Sequence, residues 1–202
     1  MCPYLLPWLL PRLSREYPSL DFQVTEDLTD SITAMLLEHR LDCILIAIPE
    51  DLPGTHELAL FDEPFWVACP KQHALARAEA ISLKDLKDEI LLYVSEGHCL
   101  REQTIAACGA RGRRDAQAVD AFKGASLETL RRMVAANMGF TLLPVLAIEE
   151  HGEPGDVVCR PFAGKASRRI GLVYRETYPR PDDMQRLAAC ITAALPPSVM
   201  PV

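Results

Sequence analysis

Apolar residues recur along this chain at helical and at strand spacing in turn, in blocks separated by turn-forming residues. Tyr4 to Tyr17 has the spacing of an amphipathic helix, started or kinked by its prolines. Leu20 to Val24 alternates like a half-buried strand. Thr29 is placed to cap a helix carrying Ile32, Met35 and Leu36 on one face, and a buried strand is predicted over 42–48. Leu58 to Phe61 leads through Asp62-Glu63-Pro64 into a strand over 65–69. The second half repeats the alternation. Ser82 begins a short helix, Ile90 to Val94 is a strand, Gly97 to Gly109 reads as one helix, and Val119 to Phe122 is extended. Ser126 caps a helix running to Asn137, with Leu127, Leu130, Met133 and Val134 at helical spacing and Gly139 ending it. Phe140 to Pro144 and Ile170 to Tyr174 are strands, and 182–195 is a closing helix. Such alternation predicts α/β layers. Two similar blocks of unequal length point to two lobes with a cleft between them.

A chain of 202 residues with 49% hydrophobic content can bury a sizeable core. Its longest apolar runs are too short to cross a bilayer. Pro3, Pro7 and Pro11 interrupt the N-terminal apolar stretch and no cleavage pattern follows, so a cytoplasmic location is expected. With a net charge of −7, this segment carries no electrostatic footprint for nucleic acid. The one local basic run, Arg111, Arg113 and Arg114, reads as a solvated loop.

Seven cysteines (Cys2, Cys43, Cys69, Cys99, Cys108, Cys159 and Cys190) change the picture. Their odd number and irregular spacing do not form a secreted disulfide framework, and no CxxC pair or Cys/His cluster points to zinc. No cofactor is expected. Cys43 and Cys69 sit in strand patterns and read as small buried hydrophobes. Cys99 and Cys108 differ, because they stand at the two ends of the helix predicted over 97–109. A helix advances about 100° and 1.5 Å per residue, so nine steps leave the sulfurs on opposite faces and about 13 Å apart along the axis. A disulfide tolerates at most about 7 Å between Cα atoms. Pairing these thiols therefore requires the helix between them to come apart, which couples a redox event to a refolding event.

Ser126-Leu127-Glu128-Thr129-Leu130, followed by Met133-Val134-Ala135-Ala136, Gly139 and Leu143-Pro144, resembles the effector-binding domain of LysR-type transcriptional regulators. Glu96-Gly97-His98-Cys99-Leu100-Arg101-Glu102-Gln103 with Cys108 resembles the hydrogen-peroxide sensors of that family. Pro3 to Pro7, Leu41-Asp42-Cys43, Leu60 to Pro64 and Ile170 to Arg175 agree with it, so the likeness spans nearly the whole chain. It implies an α/β fold of two Rossmann-like subdomains joined by two crossover strands, as in type 2 periplasmic-binding proteins. Residues 1–62 plus 168–202 would form regulatory subdomain I, and 63–167 regulatory subdomain II with the redox cysteines. The family's winged helix-turn-helix, its linker helix and the first strand of lobe one are not in this sequence, and Cys2 stands where the family has glycine.

The resemblance also implies a mechanism. Hydrogen peroxide oxidises Cys99 to a sulfenic acid, and Cys108 resolves it to an intramolecular disulfide. The nucleophile must be a thiolate, and the N-terminal end of a helix favours an anion. His98 and Arg101 are close enough in sequence to donate to the thiolate or the leaving oxygen, and Thr29 matches a threonine that helps hold peroxide. A dimer or tetramer would change arrangement and activate peroxide-defence genes, meeting promoter DNA and RNA polymerase through the N-terminal domain of a full-length regulator. A glutaredoxin- or thioredoxin-type reductant would reset it. The chain is not expected to be an enzyme. Three other readings stand beside this one: a LysR-type domain binding a small organic effector in its cleft, a thiol peroxidase, and a periplasmic solute-binding protein.

Overall fold

Leu5, Leu9 and Leu13 recur at the interval that lines one face of a helix, and all three are buried in α1 (Cys2–Glu16), which holds Pro7 and Pro11 within it. This computed structural model describes residues 2–94, 99–108, 126–149, 155–163 and 166–202. Val119 to Phe122 and the basic run at Arg111, Arg113 and Arg114 lie outside the described residues. The chain divides into two compact units, Met1–Glu63 with Arg168–Val202 and Pro64–Ser167.

In the first unit, α1 packs against α6 (Pro181–Ala193), and the Arg12 guanidinium donates to the Ala193 carbonyl at the end of that helix. The helix α2 (Thr29–Leu37) covers β1 (Cys43–Ile48), which pairs antiparallel with β5 (Ser167–Arg175) in the register Cys43 to Tyr174. Leu36, Ile44, Ile46 and Val173 form the core between them. Buried Arg175 donates to the carbonyls of Leu36 and Leu41, satisfying two acceptors at the end of α2 and in the turn that follows. Glu63 and Arg168 form a buried ion pair at 2.7 Å, and beside it Arg169 grips Asp62 through two bonds of 2.8 and 2.9 Å. That grip holds the Asp62 carboxyl below its ordinary range.

In the second unit, the later part of β2 (Thr55–Pro70) is flanked by β3 (Thr141–Pro144) and β4 (Val157–Pro161), both antiparallel to it. Ser126 caps α4 (Leu127–Ala135), its Oγ accepting from the Thr129 N–H. Buried Arg131 reaches from α4 to the Ala147 carbonyl in α5 (Leu146–Glu149). After α4 the chain turns through Asn137, at φ 59°, which takes the left-handed position expected of Gly139. Gly139 is needed for another reason: a Cβ there would lie 2.4 Å from the Ile90 carbonyl oxygen.

Several expectations are corrected. Leu20 to Val24 forms no strand. Its alternation finds no ladder partner among the described residues, and Leu20 and Val24 stand 56% and 52% exposed. The strand predicted over 65–69 begins much earlier, because β2 runs from Thr55 continuously through Asp62-Glu63-Pro64; Pro64 lacks a donor, yet its carbonyl still accepts from the Val145 N–H. Ser82 starts a run of turns instead of a helix, tied by its hydroxyl and its N–H to the Asp85 carboxylate. Among the described residues Ile90 to Val94 holds one bridge, Leu91 to Phe140, and is otherwise irregular. Four short elements escaped the sequence reading: the 3-10 turn Ala74–Arg77, β4, α5 and β6 (Met200–Pro201), the last pairing with β2 at Phe61. No described helix is long and apolar enough to cross a membrane.

Candidate redox site

The segment before the cysteine helix is fixed by the core of the second unit. The Leu92 N–H donates to the Phe140 carbonyl at 2.7 Å, and the Thr141 hydroxyl donates to the Leu92 carbonyl at 2.8 Å. Leu91, Leu92 and Val94 are buried, and Tyr93 packs half-buried against the same core. Beyond it lies the nine-residue helix α3 (Cys99–Ala107). Its buried positions are Leu100 and Thr104, continued by Cys108, whose N–H donates to the Thr104 carbonyl at 3.0 Å. These three residues, each four apart, form the face that α3 turns to the core.

The two candidate thiols occupy opposite situations on this helix. Cys108 is 3% exposed and belongs to the core cluster with Leu100, Leu130 and Val134. Cys99 is half-exposed and is the first residue of α3, beside N–H groups that have no partner within the helix. Both are reduced thiols. Nine helical steps rotate one half a turn from the other and separate them by about 13 Å along the axis, beyond the reach of a disulfide.

Of the other predicted residues, Arg101 is on α3, two residues and about 200° from Cys99. Its guanidinium carbon lies 5.2 Å from the centroid of the Tyr93 ring, and one of its nitrogens is 3.7 Å from the exposed Glu102 carboxylate. His98 lies outside the described residues. Thr29 belongs to the first unit as the first residue of α2, half-buried. It does not cap that helix. Leu28 holds the cap position with no side-chain cap, and Asp27 instead accepts from the Leu28 N–H and the Ser31 hydroxyl, both at 2.7 Å. Tyr93 was not singled out by sequence reasoning, since one aromatic six residues before a cysteine carries no signal.

The remaining described cysteines are placed against peroxide chemistry, which needs an accessible thiolate. Burial, with the charge of Asp42 adding to it, pushes the Cys43 thiol up to about 11, although Cys43 is half-buried and not sealed in the strand as expected. Burial and the Glu16 carboxylate raise Cys190. Cys69 and Cys159 are buried on neighbouring strands, where the register sets Cys69 against Val158 and Ala68 against Cys159, so their side chains leave opposite faces of the sheet. Among the described residues no group of three or more His, Cys, Asp or Glu could hold a metal ion.

Residues 1–196 match the LysR substrate binding domain. The chain belongs to that family. It is 39% identical over 194 residues to the DNA-binding transcriptional dual regulator OxyR of Escherichia coli K12, covering 96% of this chain and 63% of that relative. A probable hydrogen peroxide-inducible genes activator of Streptomyces viridosporus is also 39% identical, with 96% and 62% covered. The LysR domain described here thus spans less than two thirds of the length of these relatives. Among solved structures, reduced OxyR from N. meningitidis superposes with a TM-score of 0.90 at 32% identity, covering all of this chain and 94% of the other. The oxidised form of OxyR does so at 0.82 and 37% identity, with 96% and 91% covered. The LysR domain therefore has the periplasmic-binding-like α/β fold that the resemblance implied.

Proposed function

We propose that this LysR domain is the redox-sensing regulatory part of a hydrogen-peroxide-responsive transcription activator, with Cys99 as the oxidised thiol and Cys108 as its resolving partner. The observation that carries the reading is the placement of the pair. One thiol is half-exposed at the start of α3, and the other is sunk in the core at its end. The Cys99 thiolate attacks one oxygen of peroxide, the O–O bond breaks, and the leaving hydroxide takes up a proton as water. The sulfur is left as a sulfenic acid. The Cys108 thiol then attacks that sulfur, the S–O bond breaks, and a second water leaves with the thiol proton. Two electrons pass from two thiols to one peroxide.

Because α3 holds the sulfurs apart, the second step proceeds only once α3 unwinds and Cys108 leaves the core. Thr29, His98 and Arg101 are assigned to peroxide handling on the strength of the resemblance. Residues 1–62 with 168–202 and residues 63–167 act as regulatory subdomains I and II, and oxidation rearranges a dimer or tetramer. Promoter DNA and RNA polymerase are met through an N-terminal helix-turn-helix domain, in the cytoplasm, and a glutaredoxin- or thioredoxin-type protein returns the disulfide to thiols. The domain signals and does not turn over substrate, so it is not an enzyme.

Peptide mass spectrometry after one equivalent of peroxide tests the reading. A Cys99–Cys108 cross-linked peptide is expected, together with loss of all cross-linking in Cys99→Ser. Oxidation confined to the other cysteines overturns it, and points to the organic-effector reading of the same family.

A further inference from the structure

The ring of Tyr93 is mounted on a fixed part of the second unit, while the guanidinium it faces belongs to the helix that oxidation would unwind. Hydrogen bonds from the Leu92 N–H and the Thr141 hydroxyl, and the burial of Leu92 and Val94 on either side, hold Tyr93 to the core. Arg101 sits in the first turn of α3, its guanidinium carbon 5.2 Å from the ring centroid and its side chain only 17% exposed. A cation over an aromatic face is attracted more strongly where water is partly excluded. Its contact with Glu102, at 3.7 Å on a side chain 76% exposed, adds little.

We propose that Tyr93 is a catch for the reduced state: it pins the first turn of α3 through Arg101, and so sets how readily the Cys99 and Cys108 thiols give way to their disulfide. The inference rests on the reading that these two cysteines pair. Forming the disulfide unwinds α3 and carries Arg101 off the ring, so the contact stabilises the dithiol and not the disulfide. Tyr93 is a positioning residue here, acting on the cysteines through Arg101.

The test is the dithiol–disulfide equilibrium of the 202-residue chain in glutathione redox buffers, read by alkylation and intact mass. A defect common to both redox forms cancels from this equilibrium, so a merely structural role for Tyr93 leaves it unmoved. Tyr93→Leu is expected to shift the equilibrium about fivefold toward the disulfide, the size of a partly desolvated cation–aromatic contact. That is about 20 mV more negative at about 30 mV per decade for a two-electron couple. Tyr93→Phe, which keeps the ring, stays within about twofold of the unchanged chain. Arg101→Met shifts the same way by at least as much as Tyr93→Leu and carries the test should Tyr93→Leu fail to fold, and Tyr93→Leu adds nothing further once Arg101 is replaced. A disulfide that forms with an unshifted equilibrium in Tyr93→Leu or Arg101→Met overturns the catch alone. No Cys99–Cys108 disulfide in the unchanged chain overturns both the catch and the reading beneath it.

Discussion

Leu100→Ala should weaken the reduced protein and leave the oxidised protein nearly untouched. Leu100 follows Cys99 on α3 and is 8% exposed, packed in the core of the second unit together with Cys108. Truncating a buried leucine to alanine costs about 2–5 kcal/mol. The first turn of a short helix can settle partly into the gap, which puts this site near the lower end, about 2–3 kcal/mol. A chain of this size has a urea dependence of about 2–3 kcal/mol per molar, so the midpoint of the reduced form should fall by about 1 M. Trp66 lies on β2 against this core, and Trp8 is in the first unit, so Trp66 fluorescence in a Trp8→Phe background reports the relevant transition. If disulfide formation unwinds α3, Leu100 has already left its site in the oxidised chain. The same substitution then moves the oxidised midpoint by less than about 0.3 M from its own unsubstituted control. Equal losses in both redox forms would mean that Leu100 stays packed after oxidation, and the refolding argument fails.

Three further outcomes follow from the geometry. Arg168→Met removes the ion-pair partner of the fully buried Glu63 carboxylate, and should destabilise the chain by about 3 kcal/mol, with part regained on adding Glu63→Gln; denaturant midpoints of Arg168→Met, Glu63→Gln and the double variant check this. Gly139→Ala forces a Cβ against the Ile90 carbonyl at a backbone angle of φ 154°, and should cost about 2 kcal/mol or more in thermal or urea unfolding. Cys43 should resist alkylation at neutral pH until the chain is unfolded, because its folded thiol is raised to about 11. A raised thiol contributes stability that is complete below its unfolded value near 9 and is lost as pH climbs toward 11. Urea midpoints between pH 7 and pH 10.5 should therefore decline more steeply for the unchanged chain than for Cys43→Ala.

Elements whose buried face is written in one stretch of sequence were legible. Leu5, Leu9 and Leu13 gave α1, Ser126 with Leu130, Met133 and Val134 gave α4 and its cap, and the apolar run from Cys43 gave β1. Errors arose where a partner elsewhere decides the outcome. Among the described residues, Leu20 to Val24 has strand alternation but no ladder to join, and Ile90 to Val94 gains a single bridge to Phe140. The strand predicted over 65–69 extends back to Thr55, since a strand tolerates the missing donor of Pro64 where its carbonyl is still used. At the site, the cysteine spacing and the start of α3 could be read directly, since both follow from helical periodicity. The Tyr93–Arg101 contact joins an irregular segment to a helix, and Glu63 and Arg168 meet across 105 positions of chain. Neither leaves a periodic trace.

Amide hydrogen exchange over residues 99–108, compared between the dithiol and the peroxide-treated disulfide form, puts the central claim to the most direct test. Protection of the α3 amides, the Cys108 N–H bonded to Thr104 included, should be present in the reduced chain and collapse in the disulfide form. A chain shown by mass to carry the Cys99–Cys108 bond, with those amides as protected as before, would contradict the account.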